Sequence, residues 1–280
     1  MLKLMYITNQ PEIAQIAETA GADRIFVDME FIGKDQRQKG LDTVKSHHTV
    51  ADVAVIKAAV ETAEVLVRVN PIHEPLPDYP GSKEEIDATV AAGADIIMLP
   101  YFKTVEEVQT FLRLVDGRTR TMLLLETPEA VERIDEILEL PGIDEIHIGL
   151  NDLALGYGMP FMFQPLADGT VEKLCFKFRQ KGIFYGFGGV ASLGKGTLPA
   201  EYIIREHYRL GSGCVILSRS FCDVTKVRHI GMINAMFLKG VREIRELEAE
   251  CALHADFFWK NEADLRKRVA EICAQSEANK

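Results

Sequence analysis

Short apolar runs alternate with amphipathic stretches through most of the chain. The runs LKLMYI from Leu2, RIFVDME from Arg24, VLVRVN from Val65, DIIMLP from Asp95, TMLLLE from Thr121, EIHIG from Glu145, IFYGFGG from Ile183 and CVILS from Cys214 are almost continuously apolar. Continuity rather than strict alternation predicts strands buried on both faces, as parallel strands covered by helices are. Between them, PEIAQIAETAGA, VADVAVIKAAVETA, KEEIDATVAAGA and VEEVQTFLRLV read as helices, several closed by the glycine expected after a helix C-terminus. Eight such units predict an α/β fold of the (β/α)8 TIM-barrel kind rather than an open doubly wound sheet. No G-x-G-x-x-G joins the first strand to its helix, which points the same way.

Past residue 225 the pattern changes. Ile230, Ile233, Phe237, Val241 and Ile244 mark one apolar face of a long helix, ALHADFFWK follows, and a last helix is expected to open near Asn261. Residues 1–225 are therefore read as the barrel catalytic domain and 226–280 as additional C-terminal helices of the same domain. Phe257, Phe258 and Trp259 form a dense aromatic group in a charged tail, which suits a subunit contact better than a layer under the barrel floor.

Composition narrows the partners. The 280 residues, 47% hydrophobic and 26% charged, suffice for a large core. A net charge of -10 without a lysine or arginine cluster argues against nucleic acid or an anionic membrane as partner. No apolar run approaches the roughly 20 residues that span a bilayer, and MLKLMYITNQ lacks a signal-peptide layout, so a cytoplasmic location is expected. Cys175, Cys214, Cys222, Cys251 and Cys273 are scattered and never in C-x-x-C spacing, which predicts reduced, structural thiols and no thiolate metal site.

Reactive groups of an eight-stranded barrel gather at the C-terminal ends of the strands. The candidates just past the apolar runs are Glu30, Arg68, Asn70, Pro100, Glu126, Asn151 and Asp152. Glu126 and Asp152 close strands five and six, and a buried carboxylate needs a partner. Pairing with Arg68 or a backbone amide, protonation, or a bound cation would each serve. Oxygen-only donors with room for water and a chelating substrate suit Mg2+ or Mn2+ better than zinc.

LLLETPEAVERIDEI followed by IDEIHIGLNDLALGYG resembles the metal-binding segments of the HpcH/HpaI aldolase and citrate lyase β-subunit family, in the phosphoenolpyruvate/pyruvate barrel superfamily. The family pattern is roughly E-T-x-x-A and then I-G-x-x-D-L. GADRIFVDMEF, VLVRVN and GADIIMLP are similar to its second, third and fourth strands, in order, so that the resemblance runs over about residues 15 to 160 and beyond that only in layout. It implies a divalent metal held by Glu126 and Asp152, Mg2+ foremost with Mn2+ or Co2+ as alternatives. It also implies that Arg68 faces the carboxylate and enolate oxygens of a 2-oxo acid such as pyruvate or oxaloacetate. The implied activity is that of a class II aldolase, a carbon-carbon lyase working through an enolate on an acceptor the sequence does not name. The alternatives are a citrate lyase-like or malyl-CoA lyase-like acyl thioester lyase or synthase, and an inactive barrel used for binding. Backbone N–H groups from Gly149 through Asn151 to Asp152 suit the substrate carboxylate. Glu30 either accepts from a metal-bound water or pairs with an arginine. A homo-oligomer is implied too, built on dimers that exchange their last helices and associating up to a hexamer.

Two departures bear on mechanism. Phe31 stands where the family's pyruvate aldolases usually carry histidine, and Leu124 where they often carry glutamine. His47 and His48, in the loop GLDTVKSHHTV on the reactive side, are the candidates for the missing acid/base group, unless the pair is an ordinary polar loop. Lys34, Arg37 and Lys39 offer cations to an anionic group on the acceptor. The stretch GFGGVASLGKGTLPAE, Gly186 to Glu201, offers glycine amides and Lys195 to a phosphate, or is a plain turn. His147 and His73 read as structural or solvated.

Overall fold

A computed structural model describes residues 1–34, 46–253 and 257–278. Its strands are β1 (Lys3–Ile7), β2 (Arg24–Asp28), β3 (Glu64–Arg68), β4 (Ile96–Leu99), β5 (Arg120–Leu125), β6 (Glu145–Ile148), β7 (Phe184–Val190) and β8 (Cys214–Leu217). They follow one another in order in a closed barrel, the (β/α)8 architecture expected from the eight apolar runs. The helices are α1 (Pro11–Ala20), α2 (Val50–Ala59), α3 (Ser82–Ala91), α4 (Val105–Val115), α5 (Pro128–Glu132), α6 (Ile134–Ile137), α7 (Leu150–Gly156), α8 (Gln164–Ala167), α9 (Thr170–Lys181), α10 (Ala200–Leu210), α11 (Ile230–Leu253) and α12 (Phe258–Ala278). The chain forms two compact units, Met5–Ile146 and Met1–Leu4 with His147–Lys280.

In the first unit, β2 and β4 are buried at every position, which is why neither shows a polar face in the sequence. The parallel register of β2 on β3 runs from Arg24 opposite Glu64 to Asp28 opposite Arg68, so each end of the pair sets a charged residue beside an opposite one. At the lower end Arg24 is fully buried, and its guanidinium grips both oxygens of Glu145 at 2.7 Å while Nε reaches Glu64 at 2.9 Å. Arg120 completes this floor by pairing with Glu145 and Glu64. Thr49 and Thr104 open α2 and α4 with reciprocal capping boxes to Asp52 and Glu107. α2 stops at Ala59, shorter than its apolar pattern suggests, because Val60 turns to extended backbone.

In the second unit α11 buries Ile233, Phe237, Val241 and Ile244, whereas Ile230, at the first turn, is 37% exposed. Gly240 is required there, since a Cβ would stand 2.7 Å from the Phe221 ring, which packs edge-on against Phe237. α12 is held to α10 by Asn261, whose Nδ2 donates to Glu206 Oε1 at 2.8 Å and to the Tyr202 carbonyl at 3.1 Å. Phe257 and Trp259 remain exposed beside that anchor.

Candidate active site

The top of β2 and β3 carries a buried group of four charges. Asp28 accepts from Arg68 Nε and Nη2, both at 2.8 Å, and from Lys34 Nζ at 2.9 Å. Glu30 lies 3.2 Å from Arg68 Nη1 and 3.5 Å from Lys34 Nζ. Burial alone would raise the Asp28 carboxyl, but the charges and hydrogen bonds of Arg68 and then of Lys34 outweigh it and hold it well below the usual carboxylate range. Burial would likewise disfavour the Arg68 cation, and Asp28, Glu30 and Glu126 reverse that, so the guanidinium stays charged. Asp28 was not among the sequence candidates, although its spacing from Glu30 in VDME puts both acids on one face of the strand. Lys34, expected as a cation for the acceptor, is instead buried and bound to Asp28 and Glu30. Arg37 and Lys39 lie outside the described residues.

A second knot holds the turn after β2. Asn70 Oδ1 accepts from the amides of Phe31 and Ile32 at 3.0 and 2.9 Å, and its Nδ2 donates to Glu85 Oε1 at 2.8 Å. Tyr79 Oη donates to the same oxygen at 2.9 Å. Burial raises the Glu85 carboxyl even though Asn70 and Tyr79 pull it down. Phe31 presents its ring edge-on to Tyr79, with centroids 4.8 Å apart, so the residue that replaces the family histidine serves as an aromatic wall. That wall bounds a cavity of about 380 Å³ shared with Met29, His47, His48 and Glu85. His47 is exposed, whereas His48 is half-buried and its Nδ1 accepts the Asp28 backbone N–H at 2.9 Å.

Glu126 follows β5, 3% exposed, with Oε1 accepting the Tyr101 amide at 3.1 Å. Tyr101 takes a left-handed backbone, φ 48°, which a non-glycine residue adopts only when its surroundings require it. The next residue explains the E-T-x-x-A pattern. Thr127 Oγ1 donates to the Phe102 carbonyl at 2.6 Å and accepts from Ala130 N at 3.2 Å, capping α5 and fixing Glu126 at the strand end. Leu124, at the family's glutamine position, is buried.

In the second unit Gly149 caps α7 without a side-chain hydrogen bond, and Asp152 in its first turn is 7% exposed beside Asn151, whose Nδ2 lies 3.4 Å from Asp152 Oδ1. In the glycine-rich stretch after β7, the Gly194 amide donates to Glu201 Oε1 at 2.7 Å, so a carboxylate already stands where the sequence suggested phosphate. His147 is fully buried and donates from Nε2 to the Gly188 carbonyl at 3.0 Å, a structural role as expected. His207, which the sequence did not single out, is fully buried, stacked on Phe187 at 3.8 Å. Burial, and then His147, push its imidazole well below the usual histidine range. Among the described residues no three His, Cys, Asp or Glu side chains are gathered as a ready-made metal cluster, and no helix is long and apolar enough to cross a membrane.

Comparison with known proteins adds a family. The sequence pattern described as HpcH/HpaI aldolase/citrate lyase matches residues 3–161. A structure of an HpcH/HpaI aldolase/citrate lyase family protein from Burkholderia cenocepacia superposes with a TM-score of 0.61 at 18% identity, covering 87% of this chain and 94% of that one. An HpcH/HpaI aldolase from Desulfitobacterium hafniense gives 0.57 at 19% identity over 88% and 93%. The citrate synthase SbnG gives 0.58 at 16% identity over 83% and 91%. A pyruvate kinase from Methylorubrum extorquens is 36% identical over 76 residues, which are 27% of this chain and only 15% of the kinase.

Proposed function

Because the chain belongs to the HpcH/HpaI aldolase/citrate lyase family, we propose that it is a metal-dependent carbon-carbon lyase that cleaves or forms a bond at C3 of a 2-oxo acid of the pyruvate or oxaloacetate type. The observation that carries this reading is the Arg68 fork, locked by Asp28 and Glu30 at the C-terminal ends of β2 and β3 and within the field of Glu126. A guanidinium so held is preorganised for an oxyanion and needs no reorganisation when charge develops. The local likeness to a pyruvate kinase favours a pyruvate-type substrate.

The cleavage direction starts from a 4-hydroxy-2-oxo acid adduct. A base removes the C4 hydroxyl proton, and the C3 to C4 bond breaks with C4 leaving as a carbonyl compound. The electron pair of that bond becomes the enolate of the 2-oxo acid, which is later protonated at C3. Arg68 stabilises the enolate oxygen, with Asp28 and Glu30 fixing its orientation. The amides of Gly149, Asn151 and Asp152 receive the substrate carboxylate. Glu126 and Asp152 are the residues that would hold the cation, Mg2+ in the first place and otherwise Mn2+ or Co2+; both are buried carboxylates, the donors such hard ions prefer. When bound, that ion supplies Lewis-acid stabilisation of the enolate. A second reading, a citrate lyase-like acyl thioester lyase, is favoured by the family description itself. The proposal includes a homo-oligomer in which exposed Phe257 and Trp259 meet a second copy. Calorimetric titration with Mg2+, Mn2+ and Co2+, alone and with pyruvate, tests it. Tighter metal binding in the presence of pyruvate supports the chelate, and no binding of any of the three ions removes the metal-dependent reading.

A further inference from the structure

We infer that His48 is a positioning residue, which holds the end of β2 through its Nδ1 lone pair so that Asp28 keeps Arg68 in place. The inference rests on the proposed role of Arg68, but its geometry is independent of any reaction. Along the inner strands the ladder supplies partners: Thr8 N donates to Phe26 O at 3.1 Å on the β1 side, and Met29 N donates to Arg68 O at 3.0 Å on the β3 side. β1 ends at Ile7, and the next amide on that side, Asp28 N–H, goes to His48 Nδ1 at 2.9 Å instead. The imidazole thus continues the sheet at the residue whose carboxylate takes four side-chain and backbone donors: Arg68 Nε and Nη2, Lys34 Nζ and Glu30 N.

His48 is itself held from behind. It precedes Thr49, the N-cap of α2, and Thr49 shares a capping box with Asp52, which also accepts from Asn9 Nδ2 at 3.3 Å just past β1. A rigid helix start, the ring, one amide and one carboxylate therefore lead in sequence to the guanidinium.

The bond fixes the chemistry of the ring. A backbone N–H only donates, so Nδ1 must be the acceptor and the proton sits on Nε2. That tautomer cannot serve as a base through Nδ1, and a doubly protonated ring would turn a donor toward a donor. The charged and titratable groups around it are Asp28 on β2, Asp52 on α2, Lys34 and His47 near it in the loop, and Tyr79 and Glu85 across the shared cavity. Burial lowers the His48 imidazole below its ordinary range, with Asp28 and Asp52 opposing, so the neutral ring prevails at neutral pH and its loss belongs to the acid side.

Two substitutions separate positioning from acid/base work. Asn places an amide oxygen near the position of Nδ1 and does not titrate, whereas Leu removes the acceptor. The first readout is the Asp28 amide protection factor by hydrogen exchange, which requires no substrate. It should fall about 3- to 10-fold in His48→Leu, the worth of one hydrogen bond, and recover in His48→Asn. In the wild type it should decline in acid, and in His48→Asn it should not. The second readout is the rate constant for enolisation of pyruvate, followed as deuterium exchange into its methyl group. His48→Leu should lose between about 10- and 100-fold in this rate constant through misplacement of Arg68, His48→Asn should restore most of it, and the acid limb of the pH profile should vanish in the Asn variant. Unchanged Asp28 protection in His48→Leu overturns the inference whatever the activity. Equal losses of about 100-fold in both variants also overturn it, because they mark His48 as a general acid or base. A protein without activity on 2-oxo acids refutes the proposed function, while the exchange data still decide the role of His48.

Discussion

Two ionic clusters, at opposite ends of β2 and β3, each pair two cations with two carboxylates and differ in what is left open. At the floor, Arg24 gives Nε to Glu64 and both Nη atoms to Glu145, and has no exposed surface. At the top, the Arg68 side chain retains 13% exposure, and its partners are attached to an imidazole, a cavity and a strained strand end. Charges enclosed within the sheet are architecture, because removing one strands its partner in a dry interior. Charges at the C-terminal ends of the strands stand where a barrel presents its chemistry. Pairing in the register is therefore no guide to role; the strand end and the residual access are.

The contrast can be broken most severely at the floor. Arg24→Met leaves buried Glu145 with only the longer contact to Arg120 and should cost about 3 to 5 kcal/mol in chemical unfolding, with turnover per folded molecule little changed. At the top, Arg68→Lys keeps a cation beside Asp28 and should leave the unfolding midpoint nearly unmoved, yet lower turnover roughly 100-fold, since a point charge does not replace the fork. Glu126→Gln should weaken divalent-metal binding by more than about 10-fold in calorimetry without loss of the fold, whereas the same change at Glu145 should act on stability alone. The smallest effect concerns pH. His207 is held neutral by burial, so its contribution to stability is complete above about pH 6.5 and is lost as pH falls below that value, where the unfolded chain takes up the proton first. Asp28, also shifted downward but by its ion pairs rather than by burial, keeps its contribution down to about pH 4 and loses it only below that. Unfolding measured from pH 8 to 4 should show the first decline, and His207→Phe should flatten it.

All eight strands were legible because each is a run of apolar residues bounded by turn signals, a local property. Glu126 could be found for a related reason: it ends such a run, and Thr127 caps the next helix. Of the two acids in RIFVDME, Glu30 ends the apolar run, whereas Asp28 was hidden because it lies inside the run and looks like a polar position of a strand. Its importance depends on the five-residue register with β3, and nothing nearby in sequence announces it. The same holds for Glu85, one of two adjacent acids in KEEID, of which only the packing of α3 decides which turns inward. Lys34 was misjudged as a free cation because burial cannot be read from a loop's composition. Tyr101 could not be anticipated, since no residue type marks a left-handed tyrosine.

The most direct test of enolate chemistry at Arg68 is exchange of deuterium from solvent into the methyl group of pyruvate, followed by NMR with and without Mg2+. Exchange that requires the metal and slows roughly 100-fold in correctly folded Arg68→Lys is the predicted result. Exchange no faster than in buffer, or equally fast in wild type and Arg68→Lys, would contradict it.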